Sequence, residues 1–591
     1  MRYNPRMSTP LSLLRNALSR QGLDGFILPV NDEFMGEYVP DSAKRLTWLT
    51  GFTGSAGMAV VLKDKAAFFT DGRYTLQAKG EVQGFELHNS AELAPEEWIK
   101  KNADKAAVIG YDPKLHTLNA LRRYEQATTS LQWKPVTPNP VDALWQGRPA
   151  APAGSARAQP LEYAGESASD KRLRIAAAIA VKEADVAVLT APDSICWLLN
   201  MRGGDVPFTP FVLCYAVIVK SGSVTLYLDE TRVPGALKKE WGEGVAFRPP
   251  GALPADIAAY AGLRVLYDPA GSPVWFHQLL TQAGAVVLEA SDPCQLPKAC
   301  KNPAELDGMR AAHLRDGLAV TKFLCWLENA VESGQALTEM DVAAKLESFR
   351  KVSSLYLEPS FTTISGSGPN GAIVHYRVTK ETNRPLDRDS LLLIDSGGQY
   401  PDGTTDITRT VALGNPSPEM KDRFTRVLKG HIALARATFP EGTTGGQLDA
   451  LARQFLWAAG CDYDHGTGHG VGSHLSVHEG PQRIGKRGGD AALMPGMIVS
   501  NEPGYYKTGE YGIRIESLVV VKEVSIVGGR RYLGFETITL APIDLRLVDK
   551  ALLNKEESEW LASYHRKVQA AHMAHLSPEE ATWLQRVALH A

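Results

Sequence analysis

Five residues in one stretch of this chain have the types and local settings of ligands to a pair of divalent cations: Asp395, Asp406, His469, Glu502 and Glu516. Asp395 ends the apolar run Leu391-Leu392-Leu393-Ile394, and Asp406 sits in Thr404-Thr405-Asp406-Ile407-Thr408. Both segments have the apolar or β-branched composition of strands. The stretch between them, Gly397-Gly398-Gln399-Tyr400-Pro401-Asp402-Gly403, is dense in turn formers. An antiparallel hairpin turning near Tyr400 and Pro401 would set Asp395 opposite Asp406, with Cβ atoms roughly 5 Å apart. Two carboxylates that close raise each other's pKa unless a cation lies between them.

The other three follow the same logic on separate segments. His469 lies in His465-Gly466-Thr467-Gly468-His469-Gly470-Val471-Gly472, where glycines allow close backbone approach and positive φ. Glu502 follows the apolar Met497-Ile498-Val499 and precedes Pro503-Gly504, a strand end running into a turn. Alternation along Tyr511-Gly512-Ile513-Arg514-Ile515-Glu516-Ser517 puts Gly512, Arg514 and Glu516 on one strand face. Arg514 is then placed to clamp Asp395 or Glu516. Taken singly, each has a bland reading: a strand-end Asp caps a turn, and a glycine-flanked His shapes a loop. Together, four carboxylates bring about −4 and two divalent cations about +4, so the loaded cluster can be buried near neutrality. One imidazole among oxygens is a hard donor set, which suits Mn²⁺ better than the thiolate sets of structural zinc; Zn²⁺ and Co²⁺ are the alternatives.

The rest of the chain must position those donors. Its 591 residues are long enough for several cores, and 44% hydrophobic with 22% charged residues is ordinary globular composition. A net charge of −3 argues against bulk attraction to nucleic acid or to an anionic membrane. No run of eighteen apolar residues occurs, so no transmembrane helix is expected. Six cysteines without CxxC spacing read as buried free thiols of a reducing compartment. The start Met1 to Met7 lacks a following apolar stretch, and Ser8-Thr9-Pro10 reads instead as a helix cap, so cytoplasmic residence is expected.

Four segments emerge. Residues 8–147 read as mixed α/β, with strands at Gly25 to Pro29, Met58 to Leu62 and Ala66 to Thr70. An Ala/Pro/Gly-rich stretch from Arg148 to Ser155 reads as a linker. Residues 160–300 repeat the order helix, strand, Trp-centred stretch and strand pair, with Trp197 in the place of Trp48, so two copies of one α/β unit are expected. Residues 301–545 open on Asn302-Pro303 with Glu305, a helix start, and contain all five donors. Residues 546–591 form a helical extension; Ser577-Pro578-Glu579-Glu580 has the order of a capping box. That extension packs on the body or on a second subunit, and the sequence leaves both open. Trp457 and Tyr505 read as core aromatics, with pocket lining as the alternative.

The spacing of the donors, with the string His465 to Gly472 followed by Val477-His478-Glu479-Gly480-Pro481, resembles the pita-bread metallopeptidases. Over nearly the whole chain the sequence is similar to the long, three-domain Xaa-Pro aminopeptidases. The strings Asn31-Asp32-Glu33, Gly51 to Gly57, Thr70-Asp71-Gly72-Arg73-Tyr74 and Asp193-Ser194 with Trp197-Leu198-Leu199-Asn200 look like that family's two creatinase-like N-terminal α/β domains. The resemblance implies an α/β (α+β) protein with a pita-bread catalytic domain that removes an N-terminal residue when proline is second. It further implies that Asp406 and Glu516 bridge two metal ions, that Asp395 completes one site, and that His469 with Glu502 completes the other. Two ions about 3.5–4 Å apart lower the pKa of a shared water. Glu502 is then the general base, with His375 and His478 as catalytic contacts to the peptide. His375, His465, His478 and Arg73 are the substrate-binding candidates, and a homodimer is the family expectation. The alternatives are a prolidase, acting on Xaa-Pro dipeptides, and a non-catalytic pita-bread binding module.

Overall fold

Short runs rich in Val, Ile, Ala and Phe become the central strands of two six-stranded sheets, because strands covered on both faces need no polar alternation. The structure, a computed structural model, describes residues 9–589. The segment Met1 to Ser8 read from the sequence lies outside them; Thr9 caps the helix Pro10–Arg20. The first sheet is built from β1 (Gly25–Pro29), β2 (Met58–Leu62), β3 (Ala66–Thr70), β4 (Glu86–Asn89), β5 (Val108–Tyr111) and β6 (Gln132–Pro135), in the order β4-β3-β2-β1-β5-β6. The second comprises β7 (Val186–Leu189), β8 (Tyr215–Val219), β9 (Val224–Tyr227), β10 (Val245–Arg248), β11 (Arg264–Tyr267) and β12 (Val286–Glu289), in the order β10-β9-β8-β7-β11-β12.

Position for position the two orders are the same, and so are the strand senses. In each sheet the first strand pairs antiparallel with the second and parallel with the fifth. Trp48 and Trp197 occupy the equivalent short helices, Arg45–Thr50 and Pro192–Leu198. The two copies share one apolar core, in which Ile27, Val60 and Phe69 join Val186, Val188 and Val217. They make up one compact unit, Met1–Pro160 with Glu166–Gln295. Residues 148–156 between them are irregular chain.

The second unit is Leu161–Gly165 with Leu296–Ala591. It opens on α1 (Pro303–Glu332), where Asn302 and Glu305 exchange side-chain to backbone hydrogen bonds in a capping box. Thr338 and Asp341 cap α2 (Glu339–Arg350) in the same way. A three-stranded antiparallel sheet holds β13 (Ile364–Ser367), β14 (Leu391–Ser396) and β17 (Ile407–Ala412), with the small hairpin β15 (Gly398–Tyr400) and β16 (Gly403–Thr404) at its end. A six-stranded sheet contains the short strand Thr438–Pro440 together with β18 (Gly468–Gly470), β19 (Glu479–Ile484), β20 (Ile498–Asn501), β23 (Ser517–Val527) and β24 (Arg530–Thr537). The pair β21 (Gly504–Lys507) and β22 (Tyr511–Arg514) stands apart as a two-stranded ribbon.

The C-terminal helices Lys555–His572 and Pro578–Leu589 pack on the body of this unit. Leu561, Tyr564, Val568, Trp583 and Leu584 all enter its main core. Each fully buried Leu or Val contributes about 1.5–3 kcal/mol, so the tail is held by apolar burial. Tyr564 adds polar ties: its hydroxyl accepts from Arg409 Nη2 at 2.8 Å and donates to Ala541 O at 2.9 Å. The expected set of buried thiols holds for four of six cysteines; Cys300 and Cys461 are partly exposed, and all six are free.

The tip of the β15–β16 hairpin is bolted to α1 by buried charge. Arg350 donates to both oxygens of Asp316 at 2.6 and 3.0 Å, and the Tyr400 hydroxyl donates to Asp316 Oδ1 at 2.8 Å. Burial pushes the Asp316 carboxyl up, but Arg350 and Tyr400 outweigh it and hold the pKa below the ordinary 3.8. The resulting stabilisation is present above pH 3.8 and is lost as pH falls through the lower folded-state value. Asp316→Asn, which leaves Arg350 buried without its partner, should cost about 3–5 kcal/mol at neutral pH. Unfolding curves measured at a series of pH values should show that deficit constant down to about pH 4 and shrinking below it.

Candidate metal centre

The hairpin that carries Asp395 and Asp406 turns one residue later than expected, and this changes how the two carboxylates meet. Asp395 pairs with Thr408, and Ser396 with Ile407. Asp406 is therefore two residues out of register with Asp395, a diagonal neighbour rather than a directly opposed one. It also lies outside regular strand, in the break between β16 and β17. There the chain leaves the small hairpin and enters the main sheet, so the Asp406 side chain projects from irregular backbone. The two charges still feel each other, since Asp395 is among the groups that raise the Asp406 pKa.

Glu516 departs from expectation in the same manner. Strand β22 ends at Arg514 and β23 begins at Ser517, so Glu516 occupies the joint between them and not the Arg514 strand face. Its backbone N–H donates to Thr408 O at 3.1 Å, and Thr408 Oγ1 donates to its Oε2 at 2.7 Å. Glu502 follows the end of β20 as expected and is fixed by its N–H to Thr467 O at 2.8 Å.

His469 sits in the centre of β18 and not in a loop, and none of Gly466, Gly468, Gly470 and Gly472 has positive φ. The glycines serve close approach instead: a Cβ on Gly468 would lie 1.9 Å from Ser500 O, and one on Gly470 would lie 2.3 Å from Glu479 O. This tight packing draws β18 against its neighbours and aims the imidazole. Nδ1 lies 3.0 Å from Gly470 O and takes the proton, which leaves the Nε2 lone pair facing Asp406 Oδ2 at 3.4 Å and Glu502 Oε1 at 3.6 Å. A lone pair directed at two carboxylates is repulsive unless a cation or proton stands between them.

Asp406, His469 and Glu516 each offer a ligand atom within 4.8 Å of the others. Among the described residues, buried Asp395 Oδ1, Asp406 Oδ1 and Glu516 Oε1 have no hydrogen-bond partner. Burial first, and then the neighbouring carboxylates, pushes Asp406 and Glu516 well above the ordinary carboxylate range. Arg514 offsets one of the four negative charges: Nη2 donates to Asp395 Oδ2 at 2.6 Å. The orphaned oxygens of Asp395, Asp406 and Glu516 fit hard divalent cations.

Arg514 does more than pair with Asp395. It also donates to Thr408 Oγ1 at 3.1 Å, to the Tyr506 hydroxyl at 2.7 Å and to Val374 O at 3.4 Å, next to His375. The Tyr506 hydroxyl then donates to His465 Nε2 at 2.9 Å. One guanidinium thus reaches, directly or through one intermediate group, Asp395, Glu516, His465 and the backbone beside His375. Thr408 and Tyr506 escaped the sequence reading. Thr408 carried a signal, two residues beyond Asp406; Tyr506 carried none.

His478 packs edge-on against His469, with ring centroids 4.3 Å apart. Its neighbour Glu479 is buried between two ammonium groups, accepting from Lys298 at 2.8 Å and from Lys301. Burial opposes the Glu479 charge, but the two lysines hold its pKa below the usual value. Gln399 and Thr404 fix the preceding segment. Gln399 Nε2 donates to Leu475 O at 2.8 Å, and Thr404 Oγ1 donates to Gln399 Oε1 at 2.8 Å. His375 is partly exposed on irregular chain after the turn Gly368–Ala372. Arg73 lies in the first unit, where its guanidinium pairs with Asp71 at 2.7 Å. Trp457, expected in the core, is 46% exposed at the end of the helix Gly445–Trp457, whereas Tyr505 is partly buried with Arg423 over its ring.

A fold of this order with a cluster of unpaired carboxylates beside one imidazole defines a metallopeptidase class. The sequence model of Metallopeptidase family M24 matches residues 307–523, and that of the C-terminal region of the same peptidases matches 531–589. The Creatinase/Prolidase N-terminal domain matches twice, at 10–144 and 147–305. The chain is 38% identical to the Probable Xaa-Pro aminopeptidase P of Ajellomyces dermatitidis, with 98% of each covered. It is 40% identical to Aminopeptidase P2 of Arabidopsis thaliana, over 94% of this chain and 85% of that one. Among solved structures it is similar to the X-prolyl aminopeptidase of Caenorhabditis elegans, described as a cytosolic enzyme with a di-nuclear active site. The TM-score is 0.94 at 33% identity, with 98% of this chain and 100% of that chain covered. The chain belongs to the M24 metallopeptidases, and within them to the Xaa-Pro aminopeptidase P family.

The close approach at Gly468 generates a test of the centre itself. Gly468→Ala should push β18 away from Ser500 and misdirect His469. Equilibrium dialysis followed by elemental analysis should then find fewer ions per chain than in the unaltered protein. Equal stoichiometry and affinity would show that the packing does not set the donor geometry.

Proposed function

We propose that this chain is a dinuclear metal-dependent aminopeptidase that hydrolyses the N-terminal Xaa-Pro bond of peptides. The observation that carries the reading is the convergence of Asp406, His469 and Glu516 with Glu502 and Asp395, three of them bearing orphaned buried oxygens. The full-length likeness to Xaa-Pro aminopeptidases supports the substrate class. Dipeptidase PepE of Mycobacterium ulcerans, at a TM-score of 0.51 and 27% identity, covers only 64% of this chain. The full-length likeness to aminopeptidases, against partial coverage by a dipeptidase, favours the aminopeptidase over a dipeptidase such as prolidase.

Asp406 and Glu516 would hold both ions, Asp395 would complete one site, and His469 with Glu502 the other. Bound divalent ions supply Lewis acidity toward the scissile carbonyl and lower the pKa of a coordinated water. Glu502 is assigned as the base: its side chain is 17% exposed against 5% for Asp406, and Ser500 Oγ lies 3.3 Å from its Oε1. His478, packed edge-on against His469, and His375 would hydrogen-bond the peptide carbonyl as it gains charge. An amide to proline carries no N–H, so the departing amine must acquire a proton, and His375 is the shuttle. His465 shapes the wall through Tyr506, and Arg73 is kept as a substrate contact on the family resemblance.

The finer reading is manganese in both positions, supported by the oxygen-rich donor set. Cytoplasmic residence is supported by the description of the Caenorhabditis elegans protein as cytosolic. The homodimer rests on the family resemblance. Peptides are the proposed partners, with neither nucleic acid nor membrane. The net charge of −3 supports that, as does the finding that no described helix is long and apolar enough to cross a membrane. The division 8–147, 160–300, 301–545 and 546–591 is retained as the domain proposal, its first two segments supported by the borders of the two N-terminal family models.

Glu502→Ala should abolish turnover while the fold persists. His375→Ala should lower kcat roughly 10²–10³-fold with metal still bound. Full activity of either purified variant would refute the role assigned to it. Asp406→Asn should deplete both ions, and two ions per chain in that variant would contradict the shared-ligand assignment. Cleavage of Arg-Pro-Pro should exceed that of an Xaa-Pro dipeptide; activity confined to dipeptides would favour a prolidase.

A further inference from the structure

The segment that carries His375 has little regular structure of its own. Between the turn Gly368–Ala372 and β14, residues 373–390 form neither helix nor strand. Its backbone needs other partners, since an irregular segment beside a site is free to move unless its polar groups are tied. Several of the ties on both sides of His375 converge on one residue, Glu339, the first residue of α2, whose exposure is 0%.

The Glu339 carboxylate accepts from four groups. Ser367 N donates to Oε1 at 2.7 Å, and Asn370 Nδ2 lies 3.0 Å from both oxygens. The Tyr376 hydroxyl donates to Oε2 at 2.9 Å, and Arg384 N donates to Oε2 at 3.1 Å. These donors precede His375, adjoin it, and follow it. The exchange is reciprocal, since Glu339 N donates to Arg384 O at 3.0 Å and Met340 N donates to Asn383 Oδ1 at 3.1 Å. The open N-terminus of α2 is thereby satisfied by the same segment that its first side chain holds.

A buried carboxylate is a costly way to accept hydrogen bonds unless its capacity is used. An ionised carboxylate accepts only, at about four lone-pair sites, whereas the amide of glutamine offers one acceptor oxygen and turns two N–H groups toward donors. Four convergent donors from both sides of His375 require the acid. Tyr376 also packs with Ile364 and Leu393, so the ring next to His375 is fixed on its apolar side and through its hydroxyl. Arg514 holds Val374 O on the other flank.

We infer that Glu339 is a positioning residue that sets the orientation of His375 in the aminopeptidase reaction. The inference rests on the role proposed above for His375. Misplacing a reacting group by about 1 Å costs up to about 10²-fold in rate, so Glu339→Gln should lower kcat by roughly ten- to hundredfold. KM should change by less than about threefold, because Glu339 makes no contact that a substrate would replace. Metal content should stay at that of the unaltered protein.

The decisive measurement is a double-mutant cycle with His375→Ala. If Glu339 acts through His375, adding Glu339→Gln to the His375→Ala enzyme should cost less than about twofold. An equal loss in both backgrounds would overturn the inference and leave the role of His375 intact. Full activity of His375→Ala would overturn both readings, so the two failures are distinct. Tyr376→Phe deletes one donor and leaves the carboxylate in place, which covers the case in which Glu339→Gln does not fold. It should give a smaller kcat loss that likewise disappears in the His375→Ala background, and a loss that persists there would count against the inference.

Discussion

Four carboxylates and one imidazole are packed into a protein interior with a single guanidinium to offset them, and the second unit is organised around that electrostatic problem. Burial in low dielectric disfavours the charges of Asp406 and Glu516, and the neighbouring carboxylates add to that. Asp406 and Glu516, both buried, show the consequence in pKa values pushed well above the usual range. Divalent cations resolve the conflict because they bring the most charge in the least space, and they suit oxygen donors that have no other partner. The same polar groups that would destabilise an unloaded core would serve as ligands in a loaded one.

Cations cannot be held by residues that drift, so a cluster of this kind demands rigid surroundings. Arg514 provides the centre of that frame, reaching Asp395, Thr408, Tyr506 and Val374 from one planar group. The rigid fork of guanidinium donors allows several fixed contacts at once, which a lysine ammonium could not reproduce in the same geometry. Around it, neutral and charged ties brace each segment that brings a candidate side chain. Thr408 fixes Glu516, Gln399 and Thr404 hold the approach to His478, Lys298 and Lys301 hold Glu479, and Glu339 gathers the segment around His375.

The first unit solves a simpler problem twice. Its two sheets share strand order and strand sense because each begins with a fully buried strand that must be covered on both edges and both faces. Element order and the two tryptophans were readable along the chain, since strands of this kind are continuous apolar runs bounded by turn residues. The common core that joins the copies was not readable, because apolar residues carry no label for the surface they meet.

Residue type and spacing alone pointed to the candidate donors and determined the helix starts at Asn302 and Ser577 and the repeat in the first part of the chain, because caps, turn formers and periodic apolar runs act over a few residues. Register, strand limits and burial were decided by tertiary structure. The offset of Asp395 from Asp406, the break that frees Asp406 and Glu516 from their strands, and the glycines that serve contact rather than positive φ all depend on neighbours distant in sequence. So do the inward packing of the C-terminal helices, the exposure of Trp457, and the roles of Tyr506 and Glu339. A side chain's partners across the fold are set by how sheets and helices close on one another, and no local pattern records that closure.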